Sequence, residues 1–277
     1  MRPAARARLA SLAVNGALVL LALLTALPLL WMISASLMPT GEAMSLPPRL
    51  VPSRPTLVHY SDLFERLSIG RAFGNTLLLA STITAISLLC NSMAGFAFAK
   101  LRFRGRRRIF ALLLATLVVP PQVTVLPLFL EVRALGLVNS FGGVVVAGIA
   151  TVFGIFLIRQ FALGIPDELL DAARLDGASE LRIYWTIVLP LLRPILVTLG
   201  VFTFLSAWND FMWPLIVLTE ERKYTLPLAL ANLSGEHVQD TELMLAGAVL
   251  TVLPVLALFL AVQRHYIQGI LMGGVKE

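Results

Sequence analysis

Charged side chains are missing from six long stretches of this chain: residues 9–41, 72–99, 109–130, 134–158, 194–209 and 243–263. Five of them reach the roughly 17–25 residues that an α-helix needs to cross about 30 Å of hydrocarbon. The run at 194–209 stops at Asp210 and resumes over 211–219. Counted as one span, its two parts complete six transmembrane helices. The pattern predicts an all-α, polytopic membrane protein.

Composition agrees. Of 277 residues, 58% are hydrophobic and 14% charged, where a soluble domain carries roughly 25% charged residues. These values exclude disorder, collagen and disulfide scaffolds. The single cysteine, Cys90, sits in an apolar run and reads as a small buried hydrophobe, so zinc clusters and thiol relays are excluded as well. Arg2, Arg6 and Arg8 ahead of an apolar run resemble a secretory signal, but the run reaches full spanning length and reads as an uncleaved first helix.

The net charge of +6 does not point to nucleic acid, because the basic residues lie at the ends of the apolar runs. Lys and Arg cluster on the cytoplasmic side of membrane proteins. Fifteen fall on one side: the three N-terminal arginines, Lys100, Arg102, Arg104, Arg106, Arg107, Arg108, Arg159, Arg174, Arg182, Arg193, Arg264 and Lys276. Seven fall on the other, in 42–71, 131–133 and 220–242. Both termini are therefore expected in the cytoplasm, with the run at 100–108 anchored on anionic membrane lipid.

Three polar segments are long enough to act. Residues 42–71 are external, rich in proline (Pro47, Pro48, Pro52, Pro55), and hold a short amphipathic helix around 60–67. Residues 220–242 are external and acidic. The third, 161–193, is internal and carries the most information. Pro166 precedes Asp167 and Glu168, which suit the positive end of a helix reading LLDAARLD. Gly177 interrupts it, Ser179 caps a second helix, and Leu181, Tyr184, Trp185 and Val188 recur at helical spacing. The result is a helix–Gly–helix elbow whose small residues admit another surface. A connector lying on lipid is the alternative, and five acids between Asp167 and Glu180 oppose it.

The stretch DAARLDGASELRIYWTIVLPLLRP resembles the cytoplasmic EAA loop of ABC-importer permeases. Asp171 stands at the acid of the triplet, followed by Ala172, Ala173, the centre Asp176, Gly177 and Ala178, then the Leu189–Pro190 ending, with Arg182 in the first turns of the second helix between them. Aspartate in place of the usual glutamate is a departure. PLLWMISASLMP, PPQVTVLPLFL, SAWNDFMWPLIVL, KYTLPLALANLSGEH and QRHYIQGILMGGVKE are similar to the carbohydrate-uptake, maltose-type subfamily. The resemblance implies one permease domain over 1–277 in a bacterial or archaeal cytoplasmic membrane. It also implies a second permease subunit, cytoplasmic ATP-binding subunits that dock on the elbow, and an extracytoplasmic sugar-binding protein, with no cofactor on this chain.

Elementary chemistry supports that division of labour. No Gly–Lys pair occurs, so the chain has no phosphate-binding loop of its own. His59, His237 and His265 fall outside the spans, which disfavours a self-contained secondary carrier for a small polar solute. No span places a histidine or acid pair beside Ser81, Ser87 or Ser92, so an intramembrane enzyme is disfavoured too. Asp210 is the intramembrane exception; it and Asn209 line a sugar path or belong to an interfacial belt with Trp208 and Trp213. Asn91 reads as a helix–helix hydrogen bond or a path residue. Pro120, Pro121 and Gln122 mark either a solvated wall or a packed kink. Asn232, Ser234 and Glu236 are candidate contacts for a delivering protein. The charge bias is directly testable. In a Cys90→Ser background, Ser179→Cys and Ser234→Cys are expected to label from opposite sides of the membrane, Ser234→Cys from outside. Labelling of both by an impermeant thiol reagent on intact cells would sink the six-span arrangement.

Overall fold

The computed structural model describes the backbone of residues 3–65, 68–236 and 240–274, and side chains over 11–65, 68–233 and 240–263. The chain is helical: α1 (Pro3–Ala35), α2 (Val58–Glu65), α3 (Ile69–Lys100), α4 (Arg106–Thr116), α5 (Pro121–Ala134), α6 (Phe141–Val146), α7 (Val152–Leu163), α8 (Asp167–Leu175) and α9 (Glu180–Ile183). A π-helical turn (Tyr184–Val188) follows, then α10 (Leu189–Leu191), α11 (Arg193–Trp208), α12 (Met212–Val217), a 3₁₀ turn (Glu221–Lys223), α13 (Leu226–Glu236) and α14 (Thr241–Gly274). Among the described residues, three stretches are long and apolar enough to cross a membrane unaided, Ser11–Ala35, Ile69–Lys100 and Thr241–Gln263. Two further candidates are bent pairs: α4 with α5 at 108°, and Glu180–Leu191 with α11 at 79°.

Two of the apolar runs are broken where the pattern predicted continuity. The run at 134–158 is divided between α6 and α7, and in the break Gly148 lies close to α3: a Cβ there would sit 2.6 Å from Ile83 Cγ2. The run across Asp210 is not one helix either. It ends at Trp208 and restarts as α12 at Met212. At the α4–α5 bend Pro121 forces the preceding residue out of the helical region, and Pro120 accordingly sits at φ −59°, ψ 134°.

The chain divides into two compact units, residues 1–69 with 230–253 and residues 70–229 with 254–277. In the first, Ala35, Met38 and Ala43 form a small core with Trp31 and Leu245. The proline-rich segment is tied down by side chains that meet its backbone. Trp31 Nε1 donates to the Arg49 carbonyl at 3.1 Å, Ser34 Oγ to that of Leu50 at 2.6 Å, and Glu242 Oε1 accepts the Ala43 amide at 2.7 Å. The predicted short helix is present as α2, with Arg66 and Leu67 outside the described residues. Apart from Ala35 at its end, α1 buries no residue of Ser11–Ala35 within the chain, so it relies on lipid or another protein to cover it.

In the second unit, α3 carries two cores. Its C-terminal half packs Phe96 and Ala99 against Ile158 and Ala162 of α7, Leu170, Ile183, Tyr184 and Val188. Its N-terminal half packs Leu79 and Ile83 against Val132, Val144, Trp213 and Val217. Within hydrocarbon such burial gains close packing rather than release of water, so small residues and interhelical hydrogen bonds carry the association. Gly95 illustrates this: a Cβ there would lie 2.5 Å from Ile158 Cγ2 and 3.0 Å from the Arg159 backbone nitrogen. Ser92 Oγ and the buried Tyr184 hydroxyl share a hydrogen bond at 2.7 Å across the same seam. Gly95→Val is expected to overpack this contact at a cost of about 1–3 kcal/mol. A lower melting temperature of the purified protein in detergent checks it, and an unchanged one would refute the close approach.

Candidate functional site

The elbow begins where α7 ends. Pro166 starts α8, and Asp167 and Glu168 occupy its first turn, where the exposed N–H groups favour negative charge. Gly177 adopts φ +80° with open space around its missing Cβ, a left-handed turn that side chains resist. Ser179 Oγ then accepts the Arg182 amide at 3.3 Å and caps α9, as the sequence predicts. Arg174 closes the corner. Its guanidinium donates to Asp171 Oδ1 at 2.7 Å and, through two nitrogens, to Glu180 Oε1 and Oε2 at 2.8 and 3.2 Å. Those bonds hold it charged well above the ordinary arginine range.

The foot of the elbow is fixed to the end of α3. The Lys100 side chain, 6% exposed, donates to the Ile165 carbonyl at 2.5 Å and to Asp167 Oδ1 at 2.6 Å. Leu170, Ile183, Tyr184 and Val188 are buried in the core behind it. The periodicity over 181–188 is therefore shared between faces. The π-turn widens the register so that Tyr184 and Val188 point inward while Leu181 and Trp185 remain exposed.

The structure brings Asp171, Ala172, Ala173, Asp176, Gly177, Ala178 and Arg182 together on α8, the turn and α9, while Pro190 lies in α10 beyond the π-turn. Asp171 is paired inside the chain with Arg174, whereas Asp176 and Arg182 are exposed and make no ion pair among the described residues. Leu175, which the pattern did not single out, is 89% exposed at the tip. An apolar side chain at the end of a polar elbow was the signal available for it. Among the basic run, Arg106 donates to the Leu101 carbonyl at 2.8 Å, while Arg102, Arg104, Arg107 and Arg108 point outward.

A second feature lies in the same unit. A cavity of about 460 Å³ opens between α5, the α6–α7 break, α11 and the start of α12. Pro121 and Asp210 line it, together with the hydroxyl residues Thr124, Thr151, Thr203 and Ser206. Pro120, Gln122 and Asn209 are exposed and outside its wall. Asn91 is fully buried: its amide accepts the Thr151 N–H at 2.9 Å and donates to Ser87 Oγ at 2.9 Å. It thus holds the wall at Thr151 without lining it. Hydroxyls in apolar spans are too common to have marked Thr203 or Ser206 from sequence. In the acidic segment 220–242 Asn232 is exposed on α13, and the side chains of Ser234 and Glu236 lie outside the described residues. Glu242 of that segment is fully buried rather than offered to a partner.

The hydrogen bond and charge of Lys100 hold the Asp167 carboxyl below the usual carboxylate range. A depressed pKa means that the contact contributes above the ordinary value and is lost as pH falls through the depressed one. Asp167→Asn is expected to lower the melting temperature by a constant amount from pH 8 to 5. The gap to wild type should close once pH drops below about 3.9, and a gap that grows on acidification would contradict the pairing.

Comparison with known proteins identifies the family. Residues 91–271 match the family described as binding-protein-dependent transport system inner membrane component. The chain is 39% identical over 259 residues to the arabinooligosaccharides transport system permease protein of Halalkalibacterium halodurans, covering 92% of this chain and 93% of that one. It is 31% identical over 271 residues to the lactose transport system permease protein of Rhizobium radiobacter, covering 98% of each. Its fold is shared with a chain in the crystal structure of a bacterial ABC transporter involved in the import of the acidic polysaccharide alginate, with a TM-score of 0.80 at 24% identity over 93% of this chain and 96% of that one. A family match over most of the chain, relatives alike from end to end and a common helical fold lead to one conclusion: the chain belongs to the binding-protein-dependent transport system inner membrane components, multi-pass membrane proteins that are not themselves enzymes.

Proposed function

We propose that this chain is the permease subunit of an ATP-driven sugar importer, supplying half of the translocation pathway beside a second permease. Residues 1–277 act as one permease domain with six spans and cytoplasmic termini. The elbow at 161–193 docks on a separate cytoplasmic ATPase, the cavity beside Asp210 belongs to the pathway, and the outer segment around Asn232 receives an extracytoplasmic binding protein. The names of the relatives support a saccharide as the substrate, since arabinooligosaccharides and lactose are what two of them carry.

The observation that carries this reading is the form of the elbow. Its root is buried in a core shared with α3, α7 and α11, while its tip presents Leu175, Ala172, Asp176 and Gly177 to the outside. An exposed apolar side chain flanked by small residues and an unpaired acid is the anatomy of a contact patch. Rigid attachment at the root lets a push on the tip reach the spans.

The test separates turn geometry from docking. Asp171 is a poor probe because its substitution also removes one of the two partners of Arg174, so Asp176→Lys is preferred. Gly177→Val strains the left-handed turn, whereas Gly177→Asn tolerates it while still adding a side chain at the contact. Asp176→Lys and Gly177→Val are expected to reduce ATPase co-purification and uptake at least tenfold, with the partner permease still bound, and Gly177→Asn should fall between Val and wild type. Full transport and normal ATPase capture by all three would refute the docking role.

A further inference from the structure

Asp210 sits where a carboxylate needs a reason. It occupies the turn between α11 and α12, half-buried, in the wall of the 460 Å³ cavity. Among the seventeen residues of that wall there is no Lys, Arg or His, and no ion pair engages Asp210 among the described residues. Its carboxylate accepts the Trp213 N–H at 3.3 Å, beyond the usual length for such a contact, and the Met212 N–H is the other backbone donor directed at it. A carboxylate offers about four acceptor positions, so these two backbone donors leave part of its capacity open. The neighbouring hydroxyls of Thr203 and Ser206 likewise make no hydrogen bond among the described residues. Serine and threonine within helices ordinarily satisfy themselves on the preceding turn, as Thr198 and Thr251 do here.

We infer that this cavity is a saccharide subsite selective for neutral sugars, with Asp210 as its hydroxyl acceptor and as the charge that turns uronates away. The inference rests on the sugar-import reading and deepens it. The volume falls within the range of small-molecule sites, and the wall has their composition: apolar surface with a few convergent polar groups. Phe153 and Phe202, both about half exposed, present aromatic faces suited to the C–H side of a pyranose or furanose ring. Asp210, Thr203 and Ser206 present acceptors and donors to its hydroxyls. A carboxylate takes hydroxyl protons through charge-assisted hydrogen bonds, the stronger kind. A sugar acid brought to the same wall meets a like charge and no cation to offset it, which is specificity by repulsion. A segment of another protein seated in the cavity would leave the carboxylate and both hydroxyls unmet unless it supplied donors of its own.

The experiment uses the importer reconstituted in nanodiscs with its partner permease and ATPases, assembly being checked by co-purification. Asp210→Asn keeps an acceptor oxygen for the Trp213 N–H and removes the charge, so the turn survives; Asp210→Ala removes both. Binding of arabinotriose, lactose and digalacturonate is measured without binding protein. Wild type is expected to bind one or both neutral sugars at least tenfold more tightly than digalacturonate. Asp210→Asn should narrow that ratio to about threefold or less, and Asp210→Ala should weaken neutral-sugar binding roughly tenfold to hundredfold, the range of a charge-assisted hydrogen bond. Both should still co-purify with the partner permease and the ATPases, as wild type does. Unchanged discrimination in Asp210→Asn, or loss of assembly in both variants, would overturn the subsite and leave Asp210 a structural turn residue. If wild-type importer neither bound nor transported any saccharide, the sugar-import reading would fall first; wild-type uptake with indistinguishable variants would overturn the subsite alone.

Discussion

A backbone amide or carbonyl released from a helix at membrane depth costs several kcal/mol unless another group meets it. This chain breaks its helices repeatedly, and its scarce polar side chains are placed to meet what the breaks release. Asn91 takes the Thr151 amide at the start of α7. Asn75 donates to the carbonyls of Arg222 and Tyr224 at 2.9 and 3.0 Å, and Trp213 Nε1 to that of Gly143 at 3.1 Å. Lys100 does the same for Ile165 at the root of the elbow. Remove these partners and the bends that shape the cavity and aim the elbow lose their support.

With the breaks satisfied, the elbow combines a rigid root with an exposed tip. Tyr184, Val188 and Ile183 anchor the elbow to the core by packing, and Lys100 anchors it by charge. Arg174 fixes the angle between α8 and α9 by bridging Asp171 and Glu180. These exposed ion pairs are individually weak, so they orient the corner rather than stabilise the fold. What remains at the tip, Leu175 above all, is the part that nothing within the described chain covers.

The same economy applies at the cavity. Its wall is built where α6 gives way to α7 and where α11 gives way to α12, so the places that could not continue as helix became the places with room and polar groups. A permease needs this combination: walls firm enough to shape a path and irregular enough to contain one.

Charge-free runs and capping residues were legible in the sequence because they obey local rules. The apolar length of α1, α3 and α14, the N-terminal acids of α8, the left-handed Gly177 and the Ser179 cap each depend on a few neighbouring residues. Continuity of the run at 134–158 and of the run across Asp210 was not legible, because an apolar helix and an apolar break have the same composition. Only tertiary structure shows the break at 147–151, which falls where α3 comes close, at Gly148 against Ile83 and Asn91 against Thr151. Likewise, hydrophobicity could not say whether Leu175 or Leu170 faces outward, or whether Asp171 meets a partner protein or Arg174. Those choices belong to tertiary structure, because burial and ion pairing are relations between segments distant in sequence or brought together by a turn.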